Sequence, residues 1–140
     1  MAYARPGFHY FWKFILSFGL TCSFSIIIEA SYPTGPPWYY LGFPNEAKFY
    51  IVDNLFHFKV FHTLYGLNKL ICGAFPSLHV SWPTVIAMNG LMHPYFSVIY
   101  VTLIASAAVY SRHHWIIDIT FGIFIAIIMS FIAGKVVDWL

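Results

Sequence analysis

The chain has 140 residues, of which 60% are hydrophobic, 21% aromatic and only 9% charged, where a soluble globular domain carries about 25% charged residues. That leaves too little polar surface to cover a body immersed in water, so the composition points to a membrane protein. A net charge of +2 with no basic cluster excludes a nucleic-acid-binding surface.

In chain order, residues 10–28 form a first apolar run broken only by Lys13, which can snorkel to the near interface, and closed by Glu29. The run is too long for the core of a cleavable signal peptide and lacks its small-residue exit. Residues 31–72 differ in kind. SYPTGPPWYYLGFP (31–44) holds four prolines and two glycines and is expected to be a rigid interfacial connection or lid, with Trp38, Tyr39 and Tyr40 at headgroup level. Residues 48–70 show apolar positions at helical spacing but include Asp53, His57, Lys59, His62 and Lys69. This pattern predicts one amphipathic helix at the interface, or a re-entrant segment. Two further spans, 77–92 and 95–110, are split by His93-Pro94, because proline disfavours helix at the residue before it. Pro83 falls in the first turns, where a missing backbone donor costs least. The last span covers residues 115–137, closed by Lys135 and Asp138. Cys22 and Cys72 read as small apolar residues and not as a disulfide. The expected fold is all-α: one integral membrane helical bundle over residues 1–140, with about four transmembrane helices plus the interfacial segment. The placement of Lys and Arg does not fix its orientation.

Two polar clusters interrupt this apolar chain. YSRHHWIID (110–118) opens the last span, and its His114 and Asp118 are four residues apart, on one face of a helix. An aspartate so placed can accept a ring N–H, fix the tautomer and sharpen the free nitrogen as a nucleophile. GAFPSLHV (73–80) opens the second span, with Ser77 as N-cap and His79 in the first turn, where backbone N–H groups and a hydroxyl favour an anion. One intervening span separates the two, so both clusters lie on the same membrane face whichever face that is. Singly, each is explained by helix capping and interfacial polarity. Together they suit phosphoryl transfer: one imidazole attacks phosphorus, another protonates the leaving oxygen, and Arg112 with N–H donors holds the charged oxygens. No metal or other cofactor is required. A zinc site from His79, His113, His114 and Asp118 is the competing arrangement, although adjacent histidines on a helix diverge. Haem ligation is a third, and would want histidines facing each other within the bundle.

PSLH (76–79) followed by HHWIID (113–118) resembles the second and third motifs of the type 2 phosphatidic acid phosphatase superfamily. PTGPPWY (33–39), the Asp53-Asn54-Leu55-Phe56 segment and the GAFPSLH string are similar to its inositol phosphorylceramide synthase branch, the aureobasidin-sensitive fungal enzymes and their microbial homologues. The resemblance covers residues 31 onward. It implies His114 as a nucleophile forming a phosphohistidine, Asp118 as its orienting group and His79 as the general acid. It further implies Ser77, His113, Asp53 and, by charge, Arg112 and Lys48 as substrate-binding residues. The substrates implied are membrane lipids, a phosphatidylinositol donor and a ceramide acceptor. The same groups with water as acceptor make a lipid phosphatase, and a chain that keeps the motifs without activity would be a membrane scaffold. The implied location is the Golgi membrane in a eukaryote or the cytoplasmic membrane in a prokaryote, with the site on the non-cytoplasmic side. The superfamily's first motif, a lysine followed at a fixed interval by Arg-Pro, is not found, and Ile51 stands where the branch carries an arginine. Six spans are usual in that family, so four imply a short form or a piece of a longer bundle.

Overall fold

The computed structural model describes residues 6–41, 46–67 and 73–139. Within them the backbone forms seven helices and no strand: α1 (Pro6–Ser31), α2 (Pro37–Tyr40), α3 (Glu46–Phe56), α4 (Val60–Leu67), α5 (Leu78–Met88), α6 (Pro94–Tyr110) and α7 (Ile116–Trp139). α1 and α7 are long and apolar enough to cross a membrane, and α5 and α6 are shorter apolar helices. α6 starts with Pro94 at its first position, where the missing N–H is not needed. Cys22 is a free thiol, and Cys72 lies outside the described residues.

Beside a small apolar core of Val80, Val85, Ile119 and Ile125, small polar residues are buried and many large apolar ones are exposed. Ser17, Thr21 and Ser25 of α1 and Ser81 of α5 have no exposed surface, whereas Ile99, Leu103, Phe124 and Phe131 are more than half exposed. Lipid gives large apolar side chains no reason to turn inward, so helices associate through small residues that let backbones approach. α7 meets this need with buried Gly122, Ala126, Ser130 and Ala133. α1 packs chiefly on α7, and α5 on both α7 and α6. α1 and α7 run antiparallel, with His9 Nε2 2.9 Å from Asp138 Oδ1 at one end. A Cβ added to Gly122 would lie 2.5 Å from the Ser77 carbonyl oxygen, so α5 and α7 are in backbone contact there. Ser81 Oγ seals the contact, 2.9 Å from the Gly122 carbonyl and 2.8 Å from that of Ser77.

Three helices end in the same way, with a residue in left-handed conformation. After α5, Gly90 (φ 67) lets Leu91 N–H reach the Ile86 carbonyl and Gly90 N–H that of Ala87. This closes the helix at Met88, short of the expected residue 92, and leaves α5 with 11 residues, about 16 Å of helix. After α6, Arg112 (φ 58) takes the same position, with His113 N–H donating to Ala108 O at 3.0 Å and Arg112 N–H to Val109 O at 2.9 Å. After α3, His57 (φ 55) does so, with Phe58 N–H on Asp53 O at 2.9 Å. The single amphipathic helix expected over 48–70 is therefore two helices, broken at residues 57–59. Asp53 holds the break: its Oδ2 accepts the His62 N–H at 2.8 Å and lies 3.0 Å from His62 Nδ1.

Candidate active site

The site is assembled from helix ends. The C-terminal cap of α6 delivers residues 111–114, α5 opens at Ser77, and α7 opens at Ile116. A backbone bond from Ser77 N–H to Asp118 O, 3.1 Å, ties the starts of α5 and α7 together. The two clusters recognised in the sequence meet: His79 Nδ1 lies 2.9 Å from His114 Nε2.

His114 is 5% exposed and precedes α7, so the expected shared helix face with Asp118 does not exist as such. Its Nδ1 lies 2.8 Å from the Ala74 carbonyl oxygen and 3.7 Å from Asp118 Oδ2. A carbonyl only accepts, so Nδ1 carries the proton and, in the neutral ring, Nε2 presents its lone pair. His79 Nδ1–H then donates to that lone pair. Asp118 acts at one remove from the ring. Its Oδ2 accepts the Trp115 N–H at 2.7 Å, the reach of a third-position carboxylate back to the N-cap, and its charge faces the His114 imidazole from a distance longer than a hydrogen bond.

Ser77 is the N-cap of α5 in extended conformation, as expected, but makes no side-chain cap. Its Oγ is fully buried and has no hydrogen-bond partner among the described residues. His113 Nδ1 lies 2.8 Å from Ser111 Oγ. Burial, and then the neighbouring His79 and His114, hold the His113 imidazole below its ordinary range, against a hydrogen bond to the Ser111 backbone that pulls the other way. His113 is thus uncharged near neutrality, which leaves Arg112 as the fixed positive charge on this loop. Asp53 is not brought to the histidines; it bonds to His62 within the α3–α4 hairpin. The Lys48 side chain lies outside the described residues. Among the described residues no three His, Cys, Asp or Glu side chains converge at metal-binding geometry.

Sequence reasoning missed the backbone that holds this site. The Thr34 carbonyl accepts from Gly73 N–H and Ala74 N–H, both at 3.1 Å, Trp38 N–H donates to Arg112 O at 3.2 Å, and Trp115 Nε1–H to Gly35 O at 3.4 Å. The proline-rich segment is a strap across both clusters, with Gly35, Pro36 and Pro37 buried. Proline contributes no N–H, so the strap offers mainly carbonyls; the site takes those of Thr34 and Gly35 and one N–H, from Trp38. Glu29 was also passed over: its carboxylate lies 3.7 Å from the position of a Cβ on Gly73, next to the residue that fixes His114. A cavity of ≈ 340 Å³ opens beside Asp118, lined by Tyr32, Tyr40, Phe75, Trp115 and Ile117.

The family model described as the PAP2 superfamily matches residues 1–132. The chain belongs to the PAP2 superfamily. Among curated relatives, it is 29% identical to the inositol phosphorylceramide synthase catalytic subunit aur1 of Schizosaccharomyces pombe, over 95% of this chain and 34% of the relative. It is 31% identical to the phosphoinositol dihydroceramide synthase of Bacteroides thetaiotaomicron, over 69% of this chain and 37% of the relative. It is 26% identical to the inositol phosphorylceramide synthase catalytic subunit AUR1 of Saccharomyces cerevisiae, over 71% of this chain and 28% of the relative. The chain spans about a third of the length of the curated relatives it matches. No solved structure matches. Within the PAP2 superfamily, then, the chain carries its paired histidines on the ends of α5 and α6, joined through their rings.

Proposed function

We propose that this chain is a membrane-embedded lipid phosphotransferase working through a phosphohistidine, moving phosphoinositol from phosphatidylinositol to a ceramide. The observation that carries the proposal is the chain Ala74 O···H–Nδ1 His114 Nε2···H–Nδ1 His79, at 2.8 and 2.9 Å. It leaves one imidazole nitrogen unprotonated and sets a proton on the ring facing it. A phosphoryl group entering between the rings replaces their mutual bond. His114 Nε2 attacks phosphorus, the bond to the leaving oxygen breaks, and His79 gives that oxygen its proton, releasing diacylglycerol. The acceptor hydroxyl then returns a proton to His79 as its oxygen takes the phosphoryl group from His114. Asp118 stabilises the positive ring, and the Ser77 hydroxyl, the Arg112 guanidinium, the His113 ring and the first-turn N–H groups of α5 hold the phosphate oxygens.

In this reading α1, α5, α6 and α7 are the membrane bundle. α5 is too short to cross alone, but packs on α6 and α7, and the non-helical backbone leading into it is tolerated because Ala74, Pro76 and Ser77 are buried in protein. The apolar cavity beside Asp118 suits the chain of an entering lipid. The names of the curated relatives support phosphoinositol as the group transferred and a ceramide as its acceptor.

The test is to expose the purified chain to phosphatidylinositol labelled with radiophosphate, quench, and map the label. Label on His114, lost in His114→Ala, is expected. Label on His79, or none on either ring, would overturn the assignment. Running the reaction with and without ceramide separates transfer from hydrolysis: water as the better acceptor would make the chain a lipid phosphatase built on the same groups.

A further inference from the structure

At the end of the bundle away from the histidines, the helices leave a polar gap. α5 stops at Met88, and there a cavity of ≈ 250 Å³ is lined by Lys13 of α1 and by Ser130, Phe131, Lys135 and Asp138 of α7. Lys135 follows Asp118 by 17 residues of α7, about 26 Å of helix, so this cavity is separate from the histidine site. Lys13 is half-buried and Lys135 exposed. The Lys13 stem lies along α7, its Cε 3.3 Å from the position of a Cβ on Gly134. Among the described residues neither ammonium has a carboxylate within ion-pair distance, because Asp138, the acid of this lining, is 2.9 Å from His9. Two like charges that share one cavity repel each other, and an anion between them turns that repulsion into attraction.

Depth and surroundings narrow the choice of anion. Tyr10 and Trp12, beside Lys13, and Trp139, one turn beyond Lys135, are exposed, an aromatic belt that marks headgroup level. Towards the middle of the bundle, Phe131 and Ile132 are exposed apolar surface on which an acyl chain can lie. Lysine meets phosphate as a point charge with three donors, and basic pockets between membrane helices take anionic headgroups in this way. A choline headgroup brings a third cation to the two lysines and fits worse. We propose that this cavity binds the phosphate of an anionic phospholipid in the leaflet opposite the histidines, with Lys13 and Lys135 donating to its free oxygens and an acyl chain lying on Phe131. The lipid fills the space that the short α5 leaves and steadies α1 against α7. It is neither donor nor acceptor in the phosphotransfer proposed above, and its binding does not rest on that reaction.

The experiment follows the purified chain in neutral detergent by native mass spectrometry and by thermal unfolding. The probes are phosphatidylglycerol, phosphatidylcholine and, as the soluble source of the same group, glycerol phosphate. Phosphatidylglycerol is expected to bind about tenfold or more tightly than phosphatidylcholine and to raise the unfolding midpoint. Lys13→Gln and Lys135→Gln are each expected to weaken it by about fivefold. Lys59→Gln removes the same charge outside the cavity and is expected to leave the affinity unchanged. Lys135 is exposed, so its variant carries the test even where Lys13→Gln loosens α1 on α7. Glycerol phosphate binding that Lys135→Gln weakens makes the phosphate alone sufficient, and binding of the lipid alone makes the acyl chain necessary; either supports the proposal. Phosphatidylcholine binding as tightly, Lys135→Gln with unchanged affinity, or no binding by any probe overturns it. So does an equal loss in Lys59→Gln, which would mean attraction to net charge and no site.

Discussion

Gly122→Ala places one methyl group where α5 and α7 touch. The new Cβ would sit 2.5 Å from the Ser77 carbonyl oxygen and 2.9 Å from Ser81 Oγ, and ordinary contact begins at 3.4 Å. Backbone cannot swing aside as a side chain can, so the start of α5 has to retreat from α7 by about 0.9 Å, an overpacking that costs about 1–3 kcal/mol. The same retreat stretches the Ser77 N–H to Asp118 O bond, now 3.1 Å, and carries His79 away from its 2.9 Å contact with His114. A displacement near 1 Å between reacting groups lowers rates by about 10²-fold. The assay is the rate of radiophosphate capture on His114, read beside a thermal unfolding curve in detergent. Gly19→Ala is the control, since a Cβ there meets nothing within 4 Å and replaces a poor helix former by a good one. The expectation is a large loss of capture with a lowered unfolding midpoint for Gly122→Ala, and neither for Gly19→Ala. Full capture by Gly122→Ala would refute the claim that this contact sets the histidine geometry.

Arg112→Gly keeps the left-handed backbone (φ 58) while removing the guanidinium, and is expected to lower phosphate capture; undiminished capture would remove Arg112 from phosphate binding. Asp118→Asn is expected to slow capture by about 10–10²-fold, well short of the roughly 10⁴-fold loss that follows when a carboxylate alone sets a histidine's tautomer, because the Ala74 carbonyl keeps the proton on His114 Nδ1. Ser77→Ala removes a hydroxyl with no partner, so unfolding should shift by less than about 0.5 kcal/mol while capture falls about tenfold or more; equal loss of both would make the hydroxyl structural. For His113, whose native value is depressed below the ordinary 6.5, the unfolded chain binds the proton more readily, so stability is fully present above the unfolded value and is lost as pH falls through the native one. Unfolding midpoints measured between about pH 7.5 and about pH 5 should decline in the parent chain and decline less in His113→Gln.

The apolar runs that became α1, α5, α6 and α7 were legible because lipid-facing surface has to be continuous, and the approach of His79 to His114 was expected because each opens an apolar helix and one apolar helix lies between them. The orienting group was not. Spacing of four residues suggested Asp118, yet the acceptor at 2.8 Å is the carbonyl of Ala74, and a backbone oxygen leaves no mark on composition or spacing. Helix ends were legible only in part. The end of α6 at Tyr110 falls where it was expected, but Gly90 was not read as a stop and α5 ends at Met88 instead of residue 92; His57 adopts left-handed geometry with no glycine to announce it, which is why α3 and α4 read as one helix. Asp53 was expected at the substrate through the resemblance alone; its partner, His62, lies nine residues on, across that unannounced break.

The shortness of α5 has a direction. Its register against α7 is fixed by Ser77 with Asp118 and by Ser81 with Gly122, both at the histidine end. The missing length therefore falls wholly at the opposite end, where Met88 terminates the helix beside Ser130 and a cavity of ≈ 250 Å³ is lined by Lys13, Gly134 and Asp138. There the bundle is held by α1 on α7 and by the exposed His9–Asp138 pair, a kind of contact worth about 0–1 kcal/mol. At the histidine end the strap, the left-handed cap of α6, the Ser77–Asp118 bond and the Gly122 contact each constrain the same few atoms. Mechanical tolerance is thus unevenly distributed along the bundle, rigid where the ring nitrogens of His79 and His114 face each other and loose some twenty ångströms of helix away. Substitutions of equal size at Gly122 and Gly134 should differ for that reason: at Gly134 the nearest atom is the flexible end of Lys13, which can move aside.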